Sequence, residues 1–489
     1  MKTKPLTFLS LFALCVLTAP LFAQDKISTP NIVWIFTEDM NDRMGCYGDK
    51  TVPTPHIDQL AERGVRFDRA YMTAGVCSAS RSAIALGAMQ TSLGVHHHRS
   101  SRKRVPEEVN HLPDGVKTVY ELLREGGYYV VSQGMNKSDF NFLWKSGKLY
   151  SKVGRKYDEP LWRERMTGQP FFAQIQLKGG KNSGRFAGAP HRQKRDKTPH
   201  TDPNKVSVPP YYPDHPVIRR EIAHHYDTIR QTDDEVGRII AALEADNLLE
   251  NTVIFFWTDH GMRLPRHKQW LYEGGIRVPL LVAGPTLTPN SVRSDLVSGI
   301  DITVTTLALA GINKPDWMEG RPLFDPAGTP RSFVVSARDR CDYTIERARA
   351  ITTQRYKYIR NFLTDRPFMQ PQYRDGRDYV EVSRRLYKDG KLNVVQSFMW
   401  SPTRVPEELY DLKNDPHETR NLAQDPQHAR VLSEHRTILA DWIKNTDDKG
   451  QYPESIDSLR GVLKQWSAKA VNPEYNEARK KTGRAKDRP

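Results

Sequence analysis

Cysteine is scarce in this chain, with four residues among 489. So low a number excludes a disulfide-stapled scaffold, in which bridges stand in for a small core. Long apolar runs are equally scarce. Beyond residue 23 no stretch is long enough to span a bilayer, so no membrane span is expected in the remaining chain. Internal repeats and low-complexity tracts are absent, which excludes solenoids and fibrous arrays. No nucleic-acid-binding motif accompanies the basic residues, and no nucleic-acid partner is expected.

The one long apolar run lies at the start. Lys2 and Lys4 precede an apolar stretch over 6–19, and Phe22-Ala23-Gln24 closes it with a small residue. This pattern predicts a signal peptide at 1–23 and an exported protein, periplasmic or secreted. Leu14 before Cys15 fits a lipoprotein cleavage site poorly. Removal of Cys15 leaves Cys46, Cys77 and Cys341, and an odd number in an oxidising compartment leaves at least one thiol unpaired. Such a thiol is either a buried small hydrophobe or a group used chemically. The formal charge of +15 points to an anionic partner. For an exported protein a polyanionic glycan fits better than DNA, and part of the surplus is solvated surface in a basic tail, 461–489.

At 489 residues the chain exceeds what one core usually organises, so a large domain and a smaller one are expected. Strand-like and helix-like runs alternate over 24–330, the pattern of an α/β sheet covered by helices. Strands are predicted at 31–37, 128–132, 171–177 and 252–258, and helices at 54–64 and 116–126. From 218 to 243 the positions Ile218, Ile222, Tyr226, Ile229, Val236, Ile239, Ile240 and Leu243 trace the stripe of a long amphipathic helix. The Gly-, Pro- and base-rich stretch 179–213 reads as a surface loop that covers a site. Over 331–460 the short pieces 332–336, 348–353 and 356–360, then a helix near 430–443, predict a smaller α+β domain.

Several residues carry chemistry. The strand at 31–37 ends in Glu38-Asp39 and the strand at 252–258 in Asp259-His260-Gly261. Open α/β sheets place ligands beyond the C-terminal ends of their strands, so the two acidic pairs are candidates for one site. The alternative for each is a helix cap or a surface charge. Cys77-Ser78-Ala79-Ser80-Arg81 sits just before a predicted helix, where amide groups and Arg81 one turn on stabilise negative charge. That cysteine serves either as a thiolate nucleophile or as a site of oxidation.

The segment Cys77-Ser78-Ala79-Ser80-Arg81 resembles the Cys-x-[Pro/Ala]-x-Arg signature of the sulfatases. Further ordered segments resemble the same family: Gly45-Cys46-Tyr47-Gly48, Thr54-Pro55-His56-Ile57-Asp58, Lys268 with Tyr272-Glu273-Gly274-Gly275, and Glu408-Leu409-Tyr410-Asp411-Leu412 with Asp415-Pro416-His417-Glu418. The resemblance implies an alkaline phosphatase/sulfatase-like fold: a mixed, mostly parallel sheet sandwiched by helices, with a smaller C-terminal α+β domain. It implies that Cys77 becomes formylglycine through a formylglycine-generating or anaerobic sulfatase-maturing enzyme. It also implies one Ca²⁺ held by Glu38, Asp39, Cys77, Asp259 and His260. Asp39 and Asp259 are the hard oxygen donors that Ca²⁺ requires, whereas His260 stands where Asn is usual and imidazole is a poor calcium ligand. Lys137 and Lys268 take the places of the sulfate-binding lysines, and Asp139 stands where the family has His. By count Lys181 occupies the place of a further family His, so the general acid is open among Lys181, His267, His200 and His191.

The activity that the resemblance implies is hydrolysis of sulfate esters on a sulfated carbohydrate, of ulvan, carrageenan or heparan type. A hydroxyl of the aldehyde hydrate attacks sulfur, an acid protonates the departing alcohol, and the second hydroxyl later expels sulfate. His96 and His98 after the nucleophile helix, with Arg338 and Arg340 in the second domain, are candidates to read the substrate; the alternative for the arginines is an ion-pair network with Asp339 and Asp342. Two rival functions remain: a phosphohydrolase of the same superfamily, which would present Ser or Thr as nucleophile, and a non-catalytic glycan-binding relative.

Overall fold

The run Asn31-Ile32-Val33-Trp34-Ile35-Phe36-Thr37 forms strand β1 (Asn31–Thr37), buried at every position. A strand apolar on both faces belongs in the middle of a sheet covered on both sides. Because side chains alternate along a strand, Ile32, Trp34 and Phe36 join one core with Phe172, Phe255 and Trp257, while Val33 and Ile35 join another with Ile175, Ile254 and Phe256. Each such fully buried side chain stabilises the fold by about 1.5–3 kcal/mol.

The structure is a computed structural model that describes residues 29–98, 110–135, 139–185 and 201–483. The expected signal peptide 1–23, Lys137, His191 and His200 lie outside the described residues. After β1 come Gly64–Tyr71 (β2), Tyr129–Gly134 (β3), Lys152–Val153 (β4), Phe171–Gln176 (β5), Thr252–Thr258 (β6), Arg277–Ala283 (β7), Ser291–Arg293 (β8) and Val297–Ser298 (β9). They form one sheet in the order β4-β3-β5-β1-β6-β7-β2-β8, with β9 also on β2. Only β7 runs antiparallel to its neighbours; the other described pairs are parallel.

Helices cover both faces. Pro55–Glu62 (α1) lies on the Val33 face, and Cys77–Leu86 (α2) and Val119–Glu125 (α3) on the Trp34 face. Pro216–Ala245 (α4) returns to the Val33 face with the apolar stripe read from its sequence, and Asp301–Leu309 (α5) to the Trp34 face. Their ends follow local chemistry. Pro216 opens α4 at a position that needs no amide donor. Thr118 and Glu121 close a capping box at the start of α3.

A second sheet, antiparallel, runs Val334–Arg338 (β10), Ala348–Thr352 (β11), Tyr356–Asn361 (β12) and Glu407–Asp411 (β13) in sequential order. One face, with Val334, Ala348, Ala350 and Ile359, merges with the large core. The other, with Val335, Ile351, Tyr358 and Leu409, is covered by Leu432 and Leu439 of the helix Ala429–Thr446. The segment expected as a basic tail folds as far as residue 483. Ile456–Trp466 and Tyr475–Gly483 pack Leu459, Val462, Tyr475 and Ala478 against Tyr343. Interspersed small and apolar positions bury themselves there while the bases stay outside, which a composition count does not separate.

Candidate active site

In-register pairing of β1 with β6 sets Thr37 opposite Thr258, so both strands end at one level. Glu38 and Asp39 therefore emerge beside Asp259 and His260, all four buried. The chain turns sharply there: Asp39 has φ 54, an uncommon conformation for a residue with a Cβ. Its amide donates to Asp259 Oδ1 at 3.3 Å. The loop after β5 closes against this turn at a glycine, since a Cβ on Gly180 would stand 2.1 Å from the Asp39 carbonyl oxygen. Strain of this kind collects at functional sites.

Helix α2 starts on Cys77, which is buried, and points its first turn at the acids. Cys77 Sγ lies 3.2 Å from His260 Nε2, 3.4 Å from Lys268 Nζ and 3.7 Å from Lys181 Nζ. One turn on, Arg81 bridges the acids through an ion pair with Glu38, Nε 3.2 Å from Asp259 Oδ2 and Nη1 3.3 Å from Asp139 Oδ1. Lys268 Nζ is 2.7 Å from Asp39 Oδ1, and Lys181 pairs with Glu38. Six charges thus share one cluster, buried except for the half-buried Lys181: carboxylates 38, 39 and 259 against Arg81, Lys181 and Lys268.

This density sets the proton affinities. Burial opposes ionisation of Asp39 and Asp259, yet Lys268 and His260 around Asp39, and His260 and Arg81 around Asp259, hold both below the usual carboxylate range. Burial, then the nearby Lys268 ammonium, brings Lys181 down to about 7. His260 is brought down to about 4 by burial, against the pull of Asp259, and so is neutral at pH 7. The three thiols are all unbridged and differ in setting. Cys46 is pushed up to about 12 by burial and Asp58, and Cys341 is raised by burial and Asp342, so both stay protonated. Cys77 alone of the three lies beside two ammonium groups.

The donor set fits a hard divalent cation. Atoms of Asp39, Cys77 and His260 lie within 4.8 Å of one another, as do those of Glu38, Cys77 and Asp259. Three convergent carboxylates supply the oxygen-rich environment that Ca²⁺ prefers over imidazole or thiol.

The remaining expected residues do not line the cavity at the site. His267 is buried against Tyr212, with Nε2 2.9 Å from the Tyr211 hydroxyl, and does not line the cavity beside Cys77. Asp139 sits behind Arg81 as its ion-pair partner. His98 Nδ1 is 2.8 Å from Ser78 Oγ, so it braces the nucleophile turn, while His96 is buried against His97. Arg340 is buried in a two-bond pair with Glu454 at 2.6 Å, and Arg338 pairs with Glu346 at 3.7 Å and stacks over Trp270. The arginine cluster of the second domain is therefore a structural ion-pair network, with Glu346 and Glu454 rather than Asp339 and Asp342 as its partners. Gln176, whose amide donates to Glu38 at 2.5 Å, carries no sequence signal because a buried strand-end Gln resembles any other.

A cavity of about 380 Å³ opens beside Lys181 and Lys268. Its far wall comes from the second sheet's 362–406 connection, with Tyr373, Arg374 and Arg377. No periodicity marked that irregular stretch.

A mostly parallel sheet between helices, with a smaller antiparallel sheet and a helix-borne cysteine facing acids at two strand ends, is a sulfatase-like α/β fold. The sulfatase family model matches residues 30–312, and a model described as the N-sulphoglucosamine sulphohydrolase C-terminal region matches 260–401. An ulvan-active sulfatase of Formosa agariphila is 32% identical over 91% of this chain and 79% of its own length. Human N-sulphoglucosamine sulphohydrolase is 26% identical over 91% of this chain and 95% of its own length. The solved structure of a 2-O GAG sulfatase superposes with a TM-score of 0.63 at 22% identity, covering 87% of this chain and 94% of that one. The chain belongs to the sulfatase family and is a sulfatase.

Proposed function

We propose that this protein hydrolyses sulfate esters on an anionic polysaccharide or oligosaccharide, with Cys77 oxidised to formylglycine and one Ca²⁺ bound by Glu38, Asp39 and Asp259. The observation that carries the reading is the setting of Cys77. It lies at the first turn of a buried helix, within 3.7 Å of two lysine ammonium groups and beside three buried acids. The similarity to an ulvan-active sulfatase and to N-sulphoglucosamine sulphohydrolase supports a sulfated sugar as substrate. Export to the periplasm or beyond, from the 1–23 signal, is part of the proposal.

The aldehyde would supply a hydrated hydroxyl as nucleophile, and calcium would draw charge from the sulfate oxygens. The chain's own residues do the rest. Arg81, fixed among three acids and packed 4.9 Å from the Phe36 ring centroid, holds positive charge without swinging. Lys268 faces the nucleophile at 3.4 Å and balances negative charge that grows on the sulfate oxygens. Lys181 lines the cavity and is placed to give a proton to the departing alcohol. Burial of the cluster excludes water and strengthens each of these interactions.

Mass spectrometry of the tryptic peptide 70–81 tests the modification, with an aldehyde in place of the thiol expected at Cys77. Sulfate release from defined O- and N-sulfated oligosaccharides is measured alongside phosphate release and a calcium titration. Turnover that needs calcium and vanishes in Cys77→Ala is expected. Unmodified thiol in fully active protein, or faster phosphate than sulfate release, would overturn the proposal.

A further inference from the structure

The cavity beside Cys77 has a volume within the range of small-molecule sites, about 300–1,000 Å³. Its catalytic end and its far wall come from different parts of the chain: Lys181 and Lys268 lie within the stretch matched to the sulfatase model, and 373–379 lies within the stretch matched to the C-terminal model. The far wall carries three arginines and the carboxylate of Asp378, and the arginines are not equivalent. Arg263 pairs with Glu221 at 2.5 Å. Arg374 is buried and donates to the backbone oxygens of Arg263 and Lys268, stacking 5.3 Å over Trp270. Arg377 differs from both. It is exposed on the cavity wall, and among the described residues its guanidinium forms no ion pair and no hydrogen bond. The half-buried Tyr373 ring lines the same wall.

A guanidinium held on a wall with no internal partner is suited to a planar oxyanion from outside, which it grips with two parallel N–H bonds. Lysines 181 and 268 already answer the sulfate that is removed. Resting on the sulfatase reading, we infer that Arg377 binds a second anionic group on the same substrate, a uronate carboxylate or a second sulfate, and that Tyr373 packs against the sugar between the two anions. Arg377 is then a specificity residue of the substrate site. It selects sugars with two negative groups over esters with one.

The experiment compares wild type, Arg377→Ala and Arg377→Lys on four probes: a 2-sulfated uronate disaccharide, its carboxyl-reduced form, a disulfated glucosamine and 4-nitrophenyl sulfate. Loss of one charge-assisted contact is expected to lower the ratio of kcat/KM on a doubly anionic sugar to that on the aryl sulfate by about tenfold to a hundredfold, mainly through KM. Lysine is expected to restore part of it. A fall on the uronate but not on its reduced form identifies the carboxylate, and a fall on the disulfated sugar identifies the second sulfate. Calorimetric binding of the same disaccharides to Cys77→Ala, with and without Arg377→Ala, gives a readout that needs no turnover. A ratio and a binding constant both within twofold of the parent would overturn the inference. Failure of wild type on every sulfate ester would instead overturn the sulfatase reading.

Discussion

Replacing Lys268 by methionine keeps most of the side-chain volume and removes one charge from the centre of the site. The ammonium lies 3.4 Å from Cys77 Sγ and 2.7 Å from Asp39 Oδ1, and is buried. At an effective dielectric constant of about 20, a unit charge at 3.4 Å is worth about 5 kcal/mol. If about half a unit of negative charge develops in the transition state, the loss is about 2.5 kcal/mol, or roughly a hundredfold in kcat. Removal of a single preorganised donor elsewhere costs a similar 10²–10³-fold, so a fall of that size is expected. Stability changes too. Asp39 is left buried without its nearest cation, a situation that costs about 3–5 kcal/mol. Calcium bound at Asp39 would replace much of the lost charge, so the cost should be largest in chelator. The assay pairs steady-state kinetics on a small aryl sulfate with urea unfolding, each with calcium and with EDTA. A kcat within threefold of wild type, or a loss accounted for wholly by unfolded protein, would refute the electrostatic reasoning.

Arg340→Ala leaves the largely buried Glu454 without its two-bond partner and is expected to cost about 3 kcal/mol in urea unfolding. The kcat/KM of the folded enzyme on sulfated oligosaccharides should stay within a few-fold, and a raised KM with unchanged stability would return Arg340 to the substrate. Glu407 is brought down to about 2 by hydrogen bonds from Arg436 and Tyr358, from an ordinary value near 4.5. Because the folded state binds its proton less readily, this contribution is complete above pH 4.5 and lost as pH falls toward 2. Arg436 is half exposed, so solvent screening reduces it to about 1 kcal/mol. Acid unfolding of Glu407→Gln should show a correspondingly shallower loss of stability over that range, and an unchanged profile would count against it.

Periodicity and turn chemistry alone located β1, β3, β5, β6, β10, β11 and β12 and the helices α1 to α4, because those signals act within a few residues. Strands β1 and β6 begin and end where their apolar runs do, and the stripe from Ile218 to Leu243 lies within α4. The edge pieces β8 and β9 and the antiparallel β7 were not legible, since their placement depends on partners far along the chain. The same division runs through the site. Local order sufficed to set Cys77 at a helix start and acids at two strand ends, where backbone geometry forces such residues together. The resemblance had already put Lys181 and Lys268 there, and only the folded chain decided which carboxylate each of them faces. A lone lysine or arginine reads the same whether it balances a buried acid, braces a second sheet or waits on a cavity wall. Lys268, Arg340 and Arg377 take those three roles here because residues more than a hundred positions away bring, or fail to bring, a carboxylate within reach. Charge pairing is set by distance in space, and a sequence records only distance along the chain.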